Sequence, residues 1–360
     1  MKFVKTVVFT GGHHTSSLVV AKALQAKGWR IVWFGHRYSM WGDRRDSGEY
    51  REVTAAGVKF YNLWAGKFYK TYNPIKLILI PVGFIHSLLL LLLTTPRGIV
   101  SFGGYLAVPV VVCGWLLGIP SITHEQTVVA GWANKLISLF VRKIAVSWPG
   151  SLNLYPKHKV ILTGLPLRPE ILKIKQQMTI NDHELPRMTI YITGGKQGSH
   201  VINQVIFNNI AALTKKYNVI HQTGTATVFG DLQKARMINV PGYTTFGFDS
   251  AKALKALAAA DVVVSRAGAH IIYELGFLGK RSVLIPIPWV SHHEQEKNAQ
   301  ILVDAGLAVT ISESALTIKT LVTAIEKAKR LTASPMNLLG QAETAMVNLI
   351  EEVMGGYDKN

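Results

Sequence analysis

Cysteine is almost missing from this chain: Cys113 is the only one in 360 residues. That excludes a disulfide framework and a thiolate metal cluster, and it fits a reducing, cytoplasmic setting. Acidic residues are scarce as well, 21 against 39 Lys plus Arg, which leaves a formal charge of +18. Partners should therefore be anionic: nucleic acid, phosphorylated small molecules or acidic lipid headgroups. Nucleic acid is disfavoured, because the cations are scattered and no zinc-finger, RNP or basic-helix pattern occurs. Only 17% of residues are charged while 49% are hydrophobic. A basic balance beside that apolarity points to an anionic membrane surface.

Long apolar runs are also few. The one present, IKLILIPVGFIHSLLLLLLTT at 75–95, approaches the roughly 20 residues of a spanning helix, but Pro81, Gly83, His86 and Ser87 interrupt it. Lys67, Lys70 and Lys76 precede it and Arg97 follows. It reads as a partly buried helix whose apolar face also touches a bilayer. The N-terminal MKFVKTVVFTGG is too short and strand-like for a signal peptide.

What the chain does have is alternation. Apolar runs at 5–10, 30–35, 57–63, 98–102, 120–124 and 143–147 read as strands separated by helical spacing, and the series restarts after Pro186 at 188–193, 218–222, 261–265, 282–286 and 308–311. Strand–helix alternation on this scale implies α/β architecture with parallel sheets covered on both faces. The length suggests two domains, with a linker or domain edge at 173–185 and an amphipathic closing helix at 337–353.

Ligands in such folds sit where strands run out into turns. VVFTGGHHTSS at 7–17 and IYITGGKQGSH at 190–200 put the same Thr-Gly-Gly turn at that position twice. Glycines there let backbone N–H groups approach a phosphate or sugar, and the next helix adds its positive end. Neither turn is a Walker loop or a full dinucleotide fingerprint, so a merely tight connection stays open. Ser265–Ala269 is a third small-residue turn, with Gly268 and Ala269 able to present N–H groups and Glu274 able to accept from a ribose. Gly103, Gly104 and Tyr105 form a fourth, and His124, Glu125 and Gln126 end a strand. The string HEQ at 124–126 and 293–295 raises a zinc-protease question. The second histidine that chemistry needs is replaced by Val128 and Lys297, so no metal site is expected.

Taken in order, TGGH at 10–13, SFGGY at 101–105, GIPSITHEQ at 118–126, NKL at 134–136, TGLPLR at 163–168, TGGKQGS at 193–199, HQTG at 221–224, SRAGA with Glu274 and EQEKNA at 294–299 resemble the MurG family of lipid-linked N-acetylglucosaminyltransferases. The resemblance implies a GT-B fold: two Rossmann-like domains whose parallel sheets face a central cleft. It places an acceptor and membrane-associated domain at 1–165, closed by a helix at 337–354, and a UDP-sugar-binding domain at 166–336. It implies inverting transfer of N-acetylglucosamine from UDP-GlcNAc to a polyprenyl-pyrophosphate-linked muramyl acceptor, at the cytoplasmic face of the membrane, with a wall-synthesis complex as a further partner. No cofactor is required, although a divalent cation can accompany the donor.

Residue by residue, His13 matches the catalytic histidine. Thr10, Gly11 and Gly12 match the first turn, facing the cleft and the acceptor diphosphate and counted with the donor site. Thr127, Arg168, Lys196, Phe248 (capping the uracil), Asp249, Ala269, His270, Ile271, Glu274, Glu294 and Gln295 match the donor-binding set. Gly103, Gly104, Tyr105, His124, Glu125 and Gln126 are assigned to the acceptor. The chain departs from the family's pattern at Phe9, at His14-Thr15-Ser16, at Thr127, at Lys196 and at Ile271. A GT-B transferase with another sugar or lipid, and a non-catalytic scaffold of wall synthesis, remain as alternatives.

Overall fold

The structure is a computed structural model, described here for residues 5–38, 46–66, 74–178, 187–290, 293–332 and 334–355. Its contacts divide the chain into a first unit, Met1–Arg168 with Leu339–Asn360, and a second, Pro169–Leu338.

The first unit contains β1 (Thr6–Thr10), α1 (His14–Ala26), β2 (Arg30–Gly35), α2 (Gly48–Ala55), β3 (Lys59–Asn62), α3 (Pro74–Thr94), β4 (Gly98–Ser101), α4 (Ala107–Leu116), β5 (Ser121–Glu125), α5 (Trp132–Phe140), β6 (Lys143–Val146) and β7 (Val160–Leu162). All strand pairs are parallel, in the order β3-β2-β1-β4-β5-β6-β7. A parallel strand covered on both faces reads as an unbroken apolar run, and every residue of β1 is buried. Val7, Val8 and Phe9 are wholly inaccessible, each worth about 1.5–3 kcal/mol of burial. Phe9 stacks with Trp33 at 5.9 Å and Phe102 at 6.4 Å. The departure at position 9 is therefore a core substitution that leaves the turn itself untouched.

The second unit contains α6 (Pro169–Met178), β8 (Thr189–Thr193), α7 (His200–Phe207), α8 (Ile210–Thr214), β9 (Asn218–Gln222), α9 (Asp231–Met237), β10 (Tyr243–Phe246), α10 (Ser250–Ala259), β11 (Val262–Ser265), α11 (Ala269–Leu278), β12 (Ser282–Leu284), α12 (Glu294–Asp304), β13 (Ala308–Thr310) and α13 (Ile318–Lys329). Its six strands run parallel in the order β10-β9-β8-β11-β12-β13. The expected linker at 173–185 is partly α6. That helix packs within the second unit, with Lys175 Nζ 3.9 Å from the Phe277 ring centre; residues 179–186 lie outside the described set.

The last helix, α14 (Ala342–Gly355), belongs to the first unit, where Met346, Ile350 and Met354 enter the core beside Leu24, Val100 and Trp33. Leu338, read from sequence as part of that helix, lies in the second unit instead. Gly98 lets the Met354 side chain lie close, because a Cβ there would stand 2.4 Å from Met354 Sδ.

Helix α3 runs through Pro81. Of its Leu77–Thr94 stretch, with mean hydropathy 2.5, only 22% is buried; by length and composition it is long and apolar enough to cross a membrane. The segment before it stays close because Gly83 has no side chain: a Cβ would sit 2.9 Å from that of Ala65. Lys67 and Lys70 lie outside the described residues.

Candidate active site

In each sheet the strand order reverses at the strand that carries a Thr-Gly-Gly turn, between β1 and β4 and between β8 and β11. Such reversal points open a crevice at the strand carboxyl ends and are where ligands bind in this architecture. The registers correspond: Thr10 lies opposite Ser101, and Thr193 opposite Ser265.

In the first unit the two turns lock together. Phe102 N donates to Thr10 O at 2.8 Å and Gly12 N to Gly103 O at 3.1 Å. Gly11 has φ +126°, and a Cβ on it would stand 2.7 Å from Gly103 O, so no other residue fits there. Gly12 and Gly104 are exposed and bring bare backbone to the rim, with Tyr105 beside them. His13 immediately precedes α1, whose N-terminal N–H groups face the same edge. Burial, with some repulsion from His14, lowers the His13 imidazole to about 4. It is therefore neutral at pH 7, with a lone pair able to accept a proton.

The strand-end run 124–127 sits differently from the sequence expectation, which made His124, Glu125 and Gln126 acceptor contacts and Thr127 a donor contact. All four are buried. Glu125 Oε2 accepts from Asn134 Nδ2 at 2.8 Å and Tyr155 OH at 3.0 Å, and Oε1 accepts from Thr127 N at 3.2 Å. The Thr127 hydroxyl lies 2.9 Å from Glu125 Oε1 and 2.6 Å from Val129 O. Burial pushes the Glu125 carboxyl up, and these donors oppose it. Gln126 Nε2 donates to Phe102 O at 3.2 Å, and Trp148 Nε1 to Gln126 O at 3.1 Å. His124 Nε2 meets Gly164 O at 3.0 Å. These residues hold the loops that carry Gly103 and Arg168 from beneath. The physical reason is that a strand in mid-sheet points its last side chains into packed layers, where polar groups must find internal partners. Asn134, in the NKL stretch, was missed as a partner of this carboxylate; its side chain also fills the space a Cβ on Gly103 would need. Arg168 is half-buried at the end of this unit.

In the second unit Thr193 Oγ1 accepts from Gly195 N at 3.0 Å and from Gln222 Nε2 at 2.9 Å. The loop after β9 clasps the turn: Thr225 N donates to Lys196 O, and Ala226 N to Gln197 O, both at 3.1 Å. Gly198 (φ +89°) lies so close that a Cβ would be 1.9 Å from Thr223 O. Lys196 and Phe248, distant in sequence, are brought together, Nζ standing 5.3 Å from the ring centre. Asp249 caps α10, accepting from Lys252 N at 3.0 Å, so its carboxylate is engaged locally and its exposed backbone remains.

At the other side of the reversal, Gln295 Oε1 accepts from Ala267 N at 3.2 Å and Ile287 N at 3.1 Å. Both lone pairs are thereby used, so the amide orientation is fixed and its NH2 group is left to donate. Ala267 N is thus spent within the protein. The first intrahelical bond of α11 runs from Ile272 N to Gly268 O at 3.1 Å, so the N–H groups of Ala269, His270 and Ile271 make up the amino end of the helix. Glu274 is buried in the following turn of α11, and Glu294 is half-buried at the start of α12. Arg266, quoted in the motif but given no role from sequence, braces the site. It donates from Nη2 to Ser199 Oγ at 2.8 Å and from Nη1 to Ile285 O at 3.1 Å, and it pairs with Glu313. Among the described residues no group of three or more His, Cys, Asp or Glu is placed to hold a metal ion.

Like His13, His124 is lowered by burial to about 4, and His221 to about 3. Below the ordinary histidine value of 6.5 the unfolded chain takes up protons that the folded one refuses. Stability is therefore lost as pH falls from that value toward 4, by up to about 1.4 kcal/mol per pH unit per histidine. Urea midpoints should decline through this window, and His124→Gln should flatten the decline. Midpoints that stay level would refute the assignment.

The chain matches the family models "Glycosyltransferase family 28 N-terminal domain" over residues 3–146 and "Glycosyltransferase family 28 C-terminal domain" over 189–350. It is 31% identical over 334 residues to the UDP-N-acetylglucosamine–N-acetylmuramyl-(pentapeptide) pyrophosphoryl-undecaprenol N-acetylglucosamine transferase 2 of Bacillus cereus, covering 90% of this chain and 91% of that one. The corresponding transferase of Desulforamulus reducens is 30% identical over 378 residues, with 96% of each chain covered. The crystal structure of Acinetobacter baumannii MurG superposes with a TM-score of 0.68 at 24% identity, covering 97% of this chain and 99% of that one. A UDP-GlcNAc 2-epimerase from Neisseria meningitidis shares the fold at TM-score 0.65 and 16% identity, covering 97% of this chain and 100% of that one. Two parallel sheets reversing at equivalent Thr-Gly-Gly turns are the GT-B arrangement, and the chain belongs to the MurG family of glycosyltransferases.

Proposed function

We propose that this chain transfers N-acetylglucosamine from UDP-GlcNAc to a lipid-pyrophosphate-linked muramyl acceptor in peptidoglycan synthesis. The observation that carries the reading is the equivalence of the two reversal points combined with the different residues that succeed their glycines. His13, a neutral imidazole, stands at the first; Lys196, a cation, stands at the second. The first unit thus suits a hydroxyl that must lose a proton, and the second a diphosphate that must be held.

In the transfer, the acceptor oxygen forms the new bond to the anomeric carbon, the bond from that carbon to UDP breaks, and the acceptor proton passes to His13. The leaving diphosphate gains charge as it departs. The amino end of α11 and Lys196 stabilise it, Arg168 serves as a donor contact, and Gln295 NH2 and Glu294 address the sugar. Phe248 caps the uracil beside the Asp249 backbone, and Glu274 takes the ribose. In the first unit Gly12, Gly104 and Tyr105 present the acceptor-side rim. The deciding experiment is transfer from UDP-GlcNAc to a short-chain lipid I analogue; UDP binding without transfer to any lipid acceptor would favour the scaffold instead.

The acceptor's lipid requires docking at an anionic membrane surface, and the first unit offers an apolar one. Ile78, Ile85, Leu89, Leu92 and Leu93 of α3 are exposed, with Trp115 and Leu116 of α4 exposed too. Trp64, Val82, Ile85, His86 and Leu89 line a groove of about 340 Å³. We expect the protein to sediment with phosphatidylglycerol vesicles at low salt, and Ile85→Glu with Leu89→Glu to cut partitioning by about 10-fold or more. A protein that stays in the supernatant would refute the docking.

A further inference from the structure

The backbone of Lys196 is fixed: its carbonyl accepts from Thr225 N at 3.1 Å and Thr225 Oγ1 at 3.2 Å. Its side chain, at a position where the family carries serine, stands over Phe248 with Nζ 5.3 Å from the ring centre. Phe248 is itself half-buried and held between β10 and the capped start of α10. While the ammonium stands over the ring, the face it covers is closed to a stacking pyrimidine.

We propose that Lys196 is a specificity residue that makes base stacking conditional on a diphosphate. Without nucleotide the ammonium rests on Phe248. A nucleoside that arrives alone must displace it and gives nothing in return. A nucleoside diphosphate offers the ammonium a stronger partner, since a charge-assisted bond to a phosphate oxygen exceeds a cation–π contact at a partly exposed site. Lys196 then leaves the ring for the diphosphate near the amino end of α7, and the base takes the vacated face. Uridine is thereby rejected relative to UDP and UDP-sugars by more than the diphosphate's own contacts would give. This rests on the reading of Phe248 as the uracil cap.

The test is calorimetric titration of the full chain with UDP and with uridine, the weaker ligand measured by competition. Lys196→Met, which keeps the side-chain length and removes the charge, should weaken UDP about 10-fold or more. The same variant should strengthen uridine about 2- to 5-fold. Lys196→Arg should keep the wild-type order, because a guanidinium both stacks on rings and pairs with phosphate. Phe248→Leu should weaken both ligands. If Lys196→Met leaves uridine unchanged or weaker while Phe248→Leu still costs uridine affinity, the gating role is overturned and the uracil cap stands. If neither ligand responds to Phe248→Leu, the cap itself is wrong and the proposal falls with it.

Discussion

Replacing His13 by alanine is expected to lower turnover by about 10²–10⁴-fold, the usual worth of a positioned general base, while UDP affinity stays at the wild-type level. The two halves of that outcome come from different units. His13 belongs to the first, just before α1, and the proposed nucleotide contacts Lys196, Phe248 and Glu274 belong to the second. The pH profile adds a signature. A base must be deprotonated to act, so kcat/KM should fall as pH drops through the His13 value near 4, not through the ordinary histidine value. Circular dichroism at each pH separates this limb from the acid loss of stability. Turnover unchanged in His13→Ala would remove His13 from the mechanism.

Glu125→Ala is expected to destabilise the first unit by about 3–5 kcal/mol, because it orphans several buried donors at once. Asn134 Nδ2, Tyr155 OH and Thr127 N all end on this carboxylate. Thermal unfolding checks it, and the direction of the kinetic change decides between roles. A direct acceptor contact would raise KM in a protein of wild-type stability. A brace would lower the melting midpoint and leave the remaining folded fraction with near-normal KM. Glu125→Gln should recover part of the loss, since its carbonyl oxygen can still accept.

Much of this fold can be read in the chain because buried parallel strands advertise themselves as apolar runs. Arg30–Gly35 and Asn218–Gln222 have the ends that the residues suggest. The strands that escaped, Val160–Leu162 and Tyr243–Phe246, close the far edges of their sheets. One has three residues and the other sets two adjacent threonines between two aromatics, so neither buries enough to show as a run. The site obeys the same logic. Turn glycines are legible because backbone conformation demands them, as at Gly11 and Gly198. Whether a polar side chain at a strand end faces a ligand or its own core is not legible, because the motif is the same in both cases. His124, Glu125, Gln126 and Thr127 face the core through partners up to 40 residues away, among them Tyr155 and Gly164. The meeting of Lys196 with Phe248 has no sequence signal either; it is made by the turns after β8 and after β10, strands that flank β9 in the sheet.

The return of α14 to the first unit also bears on how the molecule is made. Synthesis proceeds from the amino end, so the second unit, Pro169–Leu338, is complete in sequence before the first unit has all of its core. Met346, Ile350 and Met354, which fill space beside β1, β2 and β4, leave the ribosome only after the whole second unit. The first unit is begun before the second and completed after it, and until then its sheet exposes apolar surface that a nascent chain must keep from aggregating.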